Sequence, residues 1–422
     1  MPIAAAAATS KLDSAVMTTP DWTATVIWWH LYPLGFVDAE RHAVTTVSHR
    51  LPKLVNWLDY VIDLGANGLL LAPIFASDSH GYDTLDHFRI DPRLGDDADF
   101  DALVAACRER GIRLCLDGVF NHLARGHELV RRAIAAGPGT EEGGWIKWSP
   151  EGYPWNFEGH PRLVEIDLGN PVVARYVGDV MIHWLDRGVD AWRLDAAYAA
   201  GAPAWRPIID RVKAAHPDTW ILGEVIHGPF DEFVSAAGID SITQYELWHL
   251  TWTALKDRNL FALDWALKNH RELMQSFRPQ TFLSNHDVTR IASQLDDARD
   301  VRLAATLLML LPGVPSIYAG DEQGFTGVKQ EHAYGDDSVR PPFPETPDGL
   351  LPFGAELHDH YREMIGFRRR NPWLADAEVT TSAVSNTAMT IHLADGEHRL
   401  EVRVNIGEEP VDGIAPHSCQ LS

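Results

Sequence analysis

Apolar residues fall along this chain in two alternating rhythms. Short unbroken apolar runs, the mark of strands buried on both faces, alternate with stretches in which apolar positions recur every three or four residues, the mark of helices with one buried side. Residues 26–32 form the first run, and in 51–64 Leu54, Trp57, Leu58 and Val61 share a helical face that Gly65 is placed to close. Residues 68–75 form the second run. A helix follows in which Phe100, Leu103, Val104 and Cys107 recur at helical spacing, with Asp97 or Asp99 as its cap and Gly111 as its stop. A third strand, 112–116, ends at Asp117. Helical spacing returns over 171–186, where Val173, Tyr176, Val177, Val180, Met181 and Trp184 make one stripe. The fourth strand ends at Asp195 and the fifth at Glu224, and 239–246, 281–284 and 315–319 complete the series. Eight strand–helix repeats in a row predict an α/β fold, a closed (β/α)8 TIM barrel whose chemistry sits at the C-terminal ends of its strands.

The alternation lapses twice. Residues 123–168 are rich in Gly and Trp and too long for an ordinary connection, so a small excursion domain is expected over the site after the third strand. Trp145, Trp155 and Phe157 either wall its entrance or form a local mini-core. Beyond Asn371 and Pro372 the period becomes two: Met389, Ile391 and Leu393 alternate, Asp395-Gly396 supplies a turn, and Leu400, Val402, Val404 and Ile406 alternate again. The expected division is a disordered tail over 1–20, barrel over 21–122, excursion over 123–168, barrel again over 169–371, and a short C-terminal antiparallel β domain over 372–422.

Composition narrows the function. An apolar fraction of 45% is that of an ordinary globular protein, and a formal net charge of -23 disfavours nucleic acid or an anionic membrane as partner. Cys107, Cys115 and Cys419 have neither disulfide nor zinc spacing, and the first two fall inside a helix and a strand pattern, as buried free thiols do. The first residues lack the basic and long apolar segments of a secretory signal, and no run of about 20 apolar residues is present. The charge favours a neutral substrate or simply high solubility, and a cytoplasmic protein with no membrane anchor is expected.

Four of the strand ends carry acidic groups. They are Leu-Asp-Gly-Val-Phe-Asn-His at 116–122, Val-Asp-Ala-Trp-Arg-Leu-Asp at 189–195, Ile-Leu-Gly-Glu at 221–224 and Phe-Leu-Ser-Asn-His-Asp at 282–287. Carboxylates on neighbouring strands of a barrel can come within about 5 Å, the spacing of a retaining glycosidase, in which one attacks the anomeric carbon and the other donates a proton to the leaving oxygen. Arg193 lies on the same side of its strand as Asp195 and is expected to hold it ionised. Glu224 has only apolar sequence neighbours, so desolvation is expected to keep it protonated. Asp117, His122, His286 and Asp287 offer directed hydrogen bonds to sugar hydroxyls. Neither His122 nor His286 has a histidine at His-x-His or His-x-x-x-His spacing to favour a zinc or iron site.

These four segments resemble the signatures of the alpha-amylase superfamily of glycoside hydrolases, in order and at matching strand ends. His80-Gly81-Tyr82-Asp83, the stretch 166–171, 313–324 around the eighth strand, and the loop 340–344 look familiar as well. The resemblance covers about 23–370 and is weak in the β tail. It implies Asp195 as nucleophile, Glu224 as general acid/base and Asp287 as stabiliser of the distorted sugar. Arg193 would orient Asp195, while Tyr82, His122 and His286 would line the subsite of the reacting ring and Asp117 would support it from beneath. Many amylases hold a structural calcium with the Asn of the first signature and a His soon after the nucleophile. Asn121 is present, but Asp195 is followed by Ala196-Ala197-Tyr198-Ala199-Ala200, so neither metal nor other cofactor is expected. The resemblance therefore implies a retaining α-glycoside hydrolase of short α-glucosides or α-glucan oligosaccharides. A transglycosylase or isomerase of the superfamily, or a non-catalytic binding member, are the alternatives.

Overall fold

The computed structural model describes residues 19–332 and 334–422. The tail expected over 1–20 lies outside them but for its last two residues. Eight parallel strands build the centre: β1 (Trp28–Leu31), β2 (Gly68–Leu71), β3 (Arg113–Gly118), β4 (Ala191–Leu194), β5 (Trp220–Gly223), β6 (Ser241–Ile242), β7 (Gln280–Phe282) and β8 (Val314–Tyr318). Their order is β6-β5-β4-β3-β2-β1-β8-β7. A parallel bridge between Thr243 and Gln280 joins the two ends, so the ring closes.

Side-chain alternation then sorts the barrel interior by height. Val26, Trp28, Leu70, Cys115, Ala191, Trp220, Leu222 and Val314 pack as a separate apolar plug in the lower interior. Trp28 and Trp220 stack there with centroids 5.7 Å apart. One step further along the same strand faces come His30, Asp117, Arg193 and Glu224, all buried. The register sets Asp117 directly beside Arg193 across the β3–β4 pair. The helices cover the outside through a second, continuous core.

Local departures from the expected pattern have plain causes. The helix read over 51–64 is two pieces, Pro52–Val55 and Leu58–Leu64, although Leu54, Trp57, Leu58 and Val61 all remain buried. At the break the Trp57 indole donates to the Pro344 carbonyl at 3.3 Å. The helix Asp97–Glu109 is capped by Asp96, which accepts from the amides of Ala98 and Asp99, and Asp99 returns the bond to the Asp96 amide. The sixth run yields a two-residue strand, because Gln244 caps a helix that already begins at Tyr245 (Tyr245–Lys256). The helix Pro171–Asp186 matches its sequence pattern from end to end.

After β3 the chain forms a two-stranded antiparallel ribbon, His122–Ala124 against Leu163–Glu165, with the helix Glu128–Ala136 between them. The C-terminal sheet has four antiparallel strands in sequential order: β9 (Glu378–Ser382), β10 (Ala388–Ala394), β11 (Arg399–Asn405) and β12 (Ser418–Leu421). The alternating runs account for β10 and β11. The flanking β9 and β12 are partly exposed edge strands whose sequences carry little alternation. Their buried face shares the barrel's outer core, and Asp300 ties the two together by receiving His417 Nδ1 at 2.8 Å and Arg258 Nη1 at 2.7 Å. All three cysteines are free, Cys107 and Cys115 buried and Cys419 half-buried. Among the described residues no helix is long and apolar enough to cross a membrane.

Gly65 closes Leu58–Leu64 in the left-handed region, at φ 97°, and an added Cβ would lie 2.6 Å from Ile365 Cγ2. Gly65→Ala should therefore lose at least the ~1–2 kcal/mol of a left-handed alanine, read as a lower denaturant midpoint at unchanged slope. An unchanged midpoint would contradict this reading of the turn.

Candidate active site

The C-terminal ends of the barrel strands open into a cavity of about 960 Å³. Of the eight residues expected at the site, Asp195, Glu224, Asp287, Tyr82 and His122 form part of its wall. Asp117, Arg193 and His286 are buried behind them. His286 therefore stands apart from the expected lining of the reacting ring's subsite. Its ring lies between Tyr82, at 5.4 Å, and Tyr32, at 6.1 Å, and supports the wall from behind.

Arg193 is the hub of the charged layer. Its Nη1 lies 2.5 Å from Asp117 Oδ2 and 3.4 Å from Asp195 Oδ1, and its Nη2 lies 2.8 Å from Glu224 Oε1. One guanidinium thus faces three buried carboxylates. This corrects the expected electrostatics of the pair. The closest contacts of Arg193 go to Asp117 and Glu224, and Asp195 takes the longest one. Burial, then the neighbouring Glu224 charge, push the Asp195 carboxyl well above the usual carboxylate range against the pull of Arg193. Glu224 is also far from isolated. Besides Arg193 it accepts the Ala196 amide on Oε2 at 3.0 Å and the Tyr245 hydroxyl on Oε1 at 2.9 Å. Apolar sequence neighbours concealed these donors, since they come from the next turn and from another strand–helix unit.

Asp287 is set the opposite way. Burial works against its charge, but His286, Arg340 and Arg193 outweigh it and hold the carboxyl well below its usual range. The contacts are His286 Nε2 at 2.8 Å and Arg340 Nη2 at 2.7 Å. Arg340 also donates from Nε to the His286 carbonyl at 2.8 Å. Sequence reasoning singled out the loop that carries Arg340 but not the residue. Tyr82 donates to Asp117 Oδ2 at 2.9 Å and also meets His286 Nε2. His286 Nδ1 faces His30 Nε2 at 3.2 Å, and burial with the adjacent His286 keeps the His30 imidazole well below its ordinary value.

The excursion closes over this layer at two points. Phe157 stacks on His122 with centroids 4.5 Å apart and planes 13° from parallel, and Tyr198 donates to Glu158 Oε1 at 2.8 Å. Phe157, Glu158 and Tyr198 all line the cavity. Trp145 instead packs edge-on against Tyr176 at 5.4 Å, and Trp155 is half exposed away from the cavity wall. His122 donates from Nε2 to the Tyr82 carbonyl at 2.9 Å, and burial lowers its imidazole to about 4. A neutral imidazole fits a group that hydrogen-bonds a neutral ligand.

The residues around Asn121 do not fit the amylase calcium site. Its Oδ1 is buried without a hydrogen-bond partner, but the positions after Asp195 supply only Ala, Tyr and Ala side chains. Among the described residues the one grouping of three acidic or imidazole ligand atoms is His49, Asp96 and Asp99, at the cap of Asp97–Glu109.

The alpha amylase catalytic domain matches residues 30–391. The chain is 27% identical to a cyclomaltodextrinase of Geobacillus thermopakistaniensis, over 93% of this chain and 71% of that protein. It is 27% identical to the intracellular maltogenic amylase of Bacillus subtilis, over 75% of this chain and 58% of that protein, so it spans less than two thirds of the latter. Among solved structures, the cyclic alpha-maltosyl-(1→6)-maltose hydrolase of Arthrobacter globiformis superposes with a TM-score of 0.81 at 27% identity, covering 96% of this chain and 99% of that one.

Proposed function

We propose that this chain, which belongs to the alpha-amylase family, is a retaining α-glycoside hydrolase acting on short α-glucan oligosaccharides. The observation that carries the reading is the meeting of Asp195 and Glu224 on one guanidinium at the wall of one cavity, with Asp287 beside them. Hydrolase names recur among the relatives, and they supply the substrate class.

The step assigns each group a task. Asp195, ionised, forms a bond from its carboxylate oxygen to the anomeric carbon while the glycosidic C–O bond breaks. Glu224 transfers its proton to the departing oxygen. The productive arrangement is the one with Asp195 ionised and the proton on Glu224. Asp287, held ionised, meets the positive charge that develops on the ring. In the second step water adds to the anomeric carbon, Glu224 takes the water's proton, and the ester bond to Asp195 breaks. Arg193 orients both carboxylates, with Asp117 behind it, while Tyr82 and His122 bound the space of the reacting sugar and His286 backs Tyr82. A cytoplasmic address belongs to the same reading, in keeping with an intracellular relative.

Proton NMR of maltotriose or cyclomaltodextrin digestion should show the α-anomer as the first product, with β appearing only at the rate of mutarotation. Initial release of the β-anomer would overturn retention. With glucose added in excess, predominance of products longer than the substrate would move the assignment to a transglycosylase.

A further inference from the structure

We propose that Tyr245, locked by Asn285, is a positioning residue that decides which oxygen of Glu224 carries the transferable proton. The inference rests on the reading of Glu224 as general acid. A carboxylate offers about four acceptor positions, two on each oxygen. Here Oε1 accepts the Tyr245 hydroxyl at 2.9 Å and also faces the Arg193 cation, Nη2 at 2.8 Å, so it is the oxygen on which negative charge is best stabilised. Oε2 receives the Ala196 amide alone, at 3.0 Å. With the cation and the hydroxyl donor both on Oε1, the seat for the proton is Oε2.

A hydroxyl can donate or accept, so Tyr245 would not specify this by itself. Asn285 removes the choice. Its Nδ2 approaches the Tyr245 oxygen at 2.9 Å, and its Oδ1 accepts the Asp287 amide at 2.8 Å. The second bond fixes the amide's orientation: a flip would set two donors against each other. Nδ2 is therefore the donor toward Tyr245, and the tyrosine's single hydrogen goes to Glu224. Tyr245 and Asn285 are both buried, which strengthens these contacts relative to exposed ones. The chain Asp287 amide, Asn285, Tyr245, Glu224 also links the position of the charge stabiliser to the position of the acid. Edge contacts of the Tyr245 ring with Phe282, at 5.1 Å, and Trp248, at 5.8 Å, hold it in place without the hydroxyl.

Tyr245→Phe keeps that ring packing and removes one donor. The test is kcat/KM across aryl α-glucosides whose phenols range from very acidic (dinitrophenyl) to weakly acidic (phenyl), for the native enzyme, Tyr245→Phe, Asn285→Ala and Glu224→Gln. A misdirected proton matters only where the leaving oxygen needs it. Tyr245→Phe should lose on the order of tenfold or more on the phenyl glycoside, the weight of one hydrogen bond to a charged group, and under about threefold on the dinitrophenyl one. Asn285→Ala should show the same bias to a smaller degree. Glu224→Gln should give the steepest dependence of all. A uniform loss, or none, in Tyr245→Phe while Glu224→Gln stays steep overturns the role of Tyr245 and leaves the acid intact. A flat series for Glu224→Gln overturns the acid assignment itself.

Discussion

Asp195→Asn should lower kcat on a nitrophenyl α-glucoside by on the order of 10⁴-fold or more, the usual consequence of removing a nucleophile, while leaving a folded protein. The amide has the carboxylate's shape but cannot form the covalent bond to the anomeric carbon. Stability should move the other way. The Asp195 carboxyl is held above its ordinary range by burial and by Glu224. A carboxyl raised in the folded state contributes its stability below its unfolded value and loses it as pH rises through the folded one. At neutral pH the native protein therefore carries a cost of burying this carboxyl that the amide lacks. The substituted protein should melt at or above the native temperature near neutrality, and this advantage should vanish as pH falls below about 3.9. Kinetics with thermal melts across that range test both halves. Native-like turnover would remove Asp195 from the chemistry, and a sharply lower melting temperature would mean that its charge is a structural tie.

Arg193→Met carries the largest expected effect on folding. Arg193 is buried with only 2% of its surface exposed, and it is the cation in contact with Asp117, Asp195 and Glu224. Removing one partner of a buried ionic group destabilises by about 3–5 kcal/mol, because the remaining charges stay desolvated. Methionine fills much of the volume, so a cavity is not the main term. Asp117 and Asp195 are already raised by burial, and loss of the guanidinium raises them further. The sign follows: the deficit is full above their folded values and shrinks as pH falls toward the unfolded carboxylate range, where both states are protonated. Urea midpoints should differ strongly at neutral pH and converge in acid. A deficit that is constant with pH would point to packing in place of charge.

How much of this was legible before any coordinates depends on how local the cause is. The barrel was legible because buried parallel strands and amphipathic helices differ in period, and each run announces itself alone. The helix Pro171–Asp186 and the hairpin turn at Asp395 are such cases. Asp195, Glu224 and Asp287 were legible because a polar residue ending an apolar run has one place to go in a barrel. What failed needed partners distant in sequence. The short β6 came from a cap at Gln244 that the apolar run obscured. The surroundings of the pair were not legible because the Tyr245 donor to Glu224 and the longer reach of Arg193 to Asp195 are properties of assembled neighbours. Arg340 reaches Asp287 from a loop more than fifty positions away, and only the fold brings them together.

The plug of indoles beneath the charged layer has a kinetic consequence. With Trp28 and Trp220 stacked across the barrel's lower interior, a layer of buried apolar side chains lies under the carboxylates. Hydrogen ions are then expected to enter and leave through the mouth, which a bound oligosaccharide would stopper. The catalytic cycle then runs on a closed inventory: the hydrogen given to the departing sugar is restored by the hydroxyl of whatever molecule arrives next, and until that arrival the enzyme stays loaded.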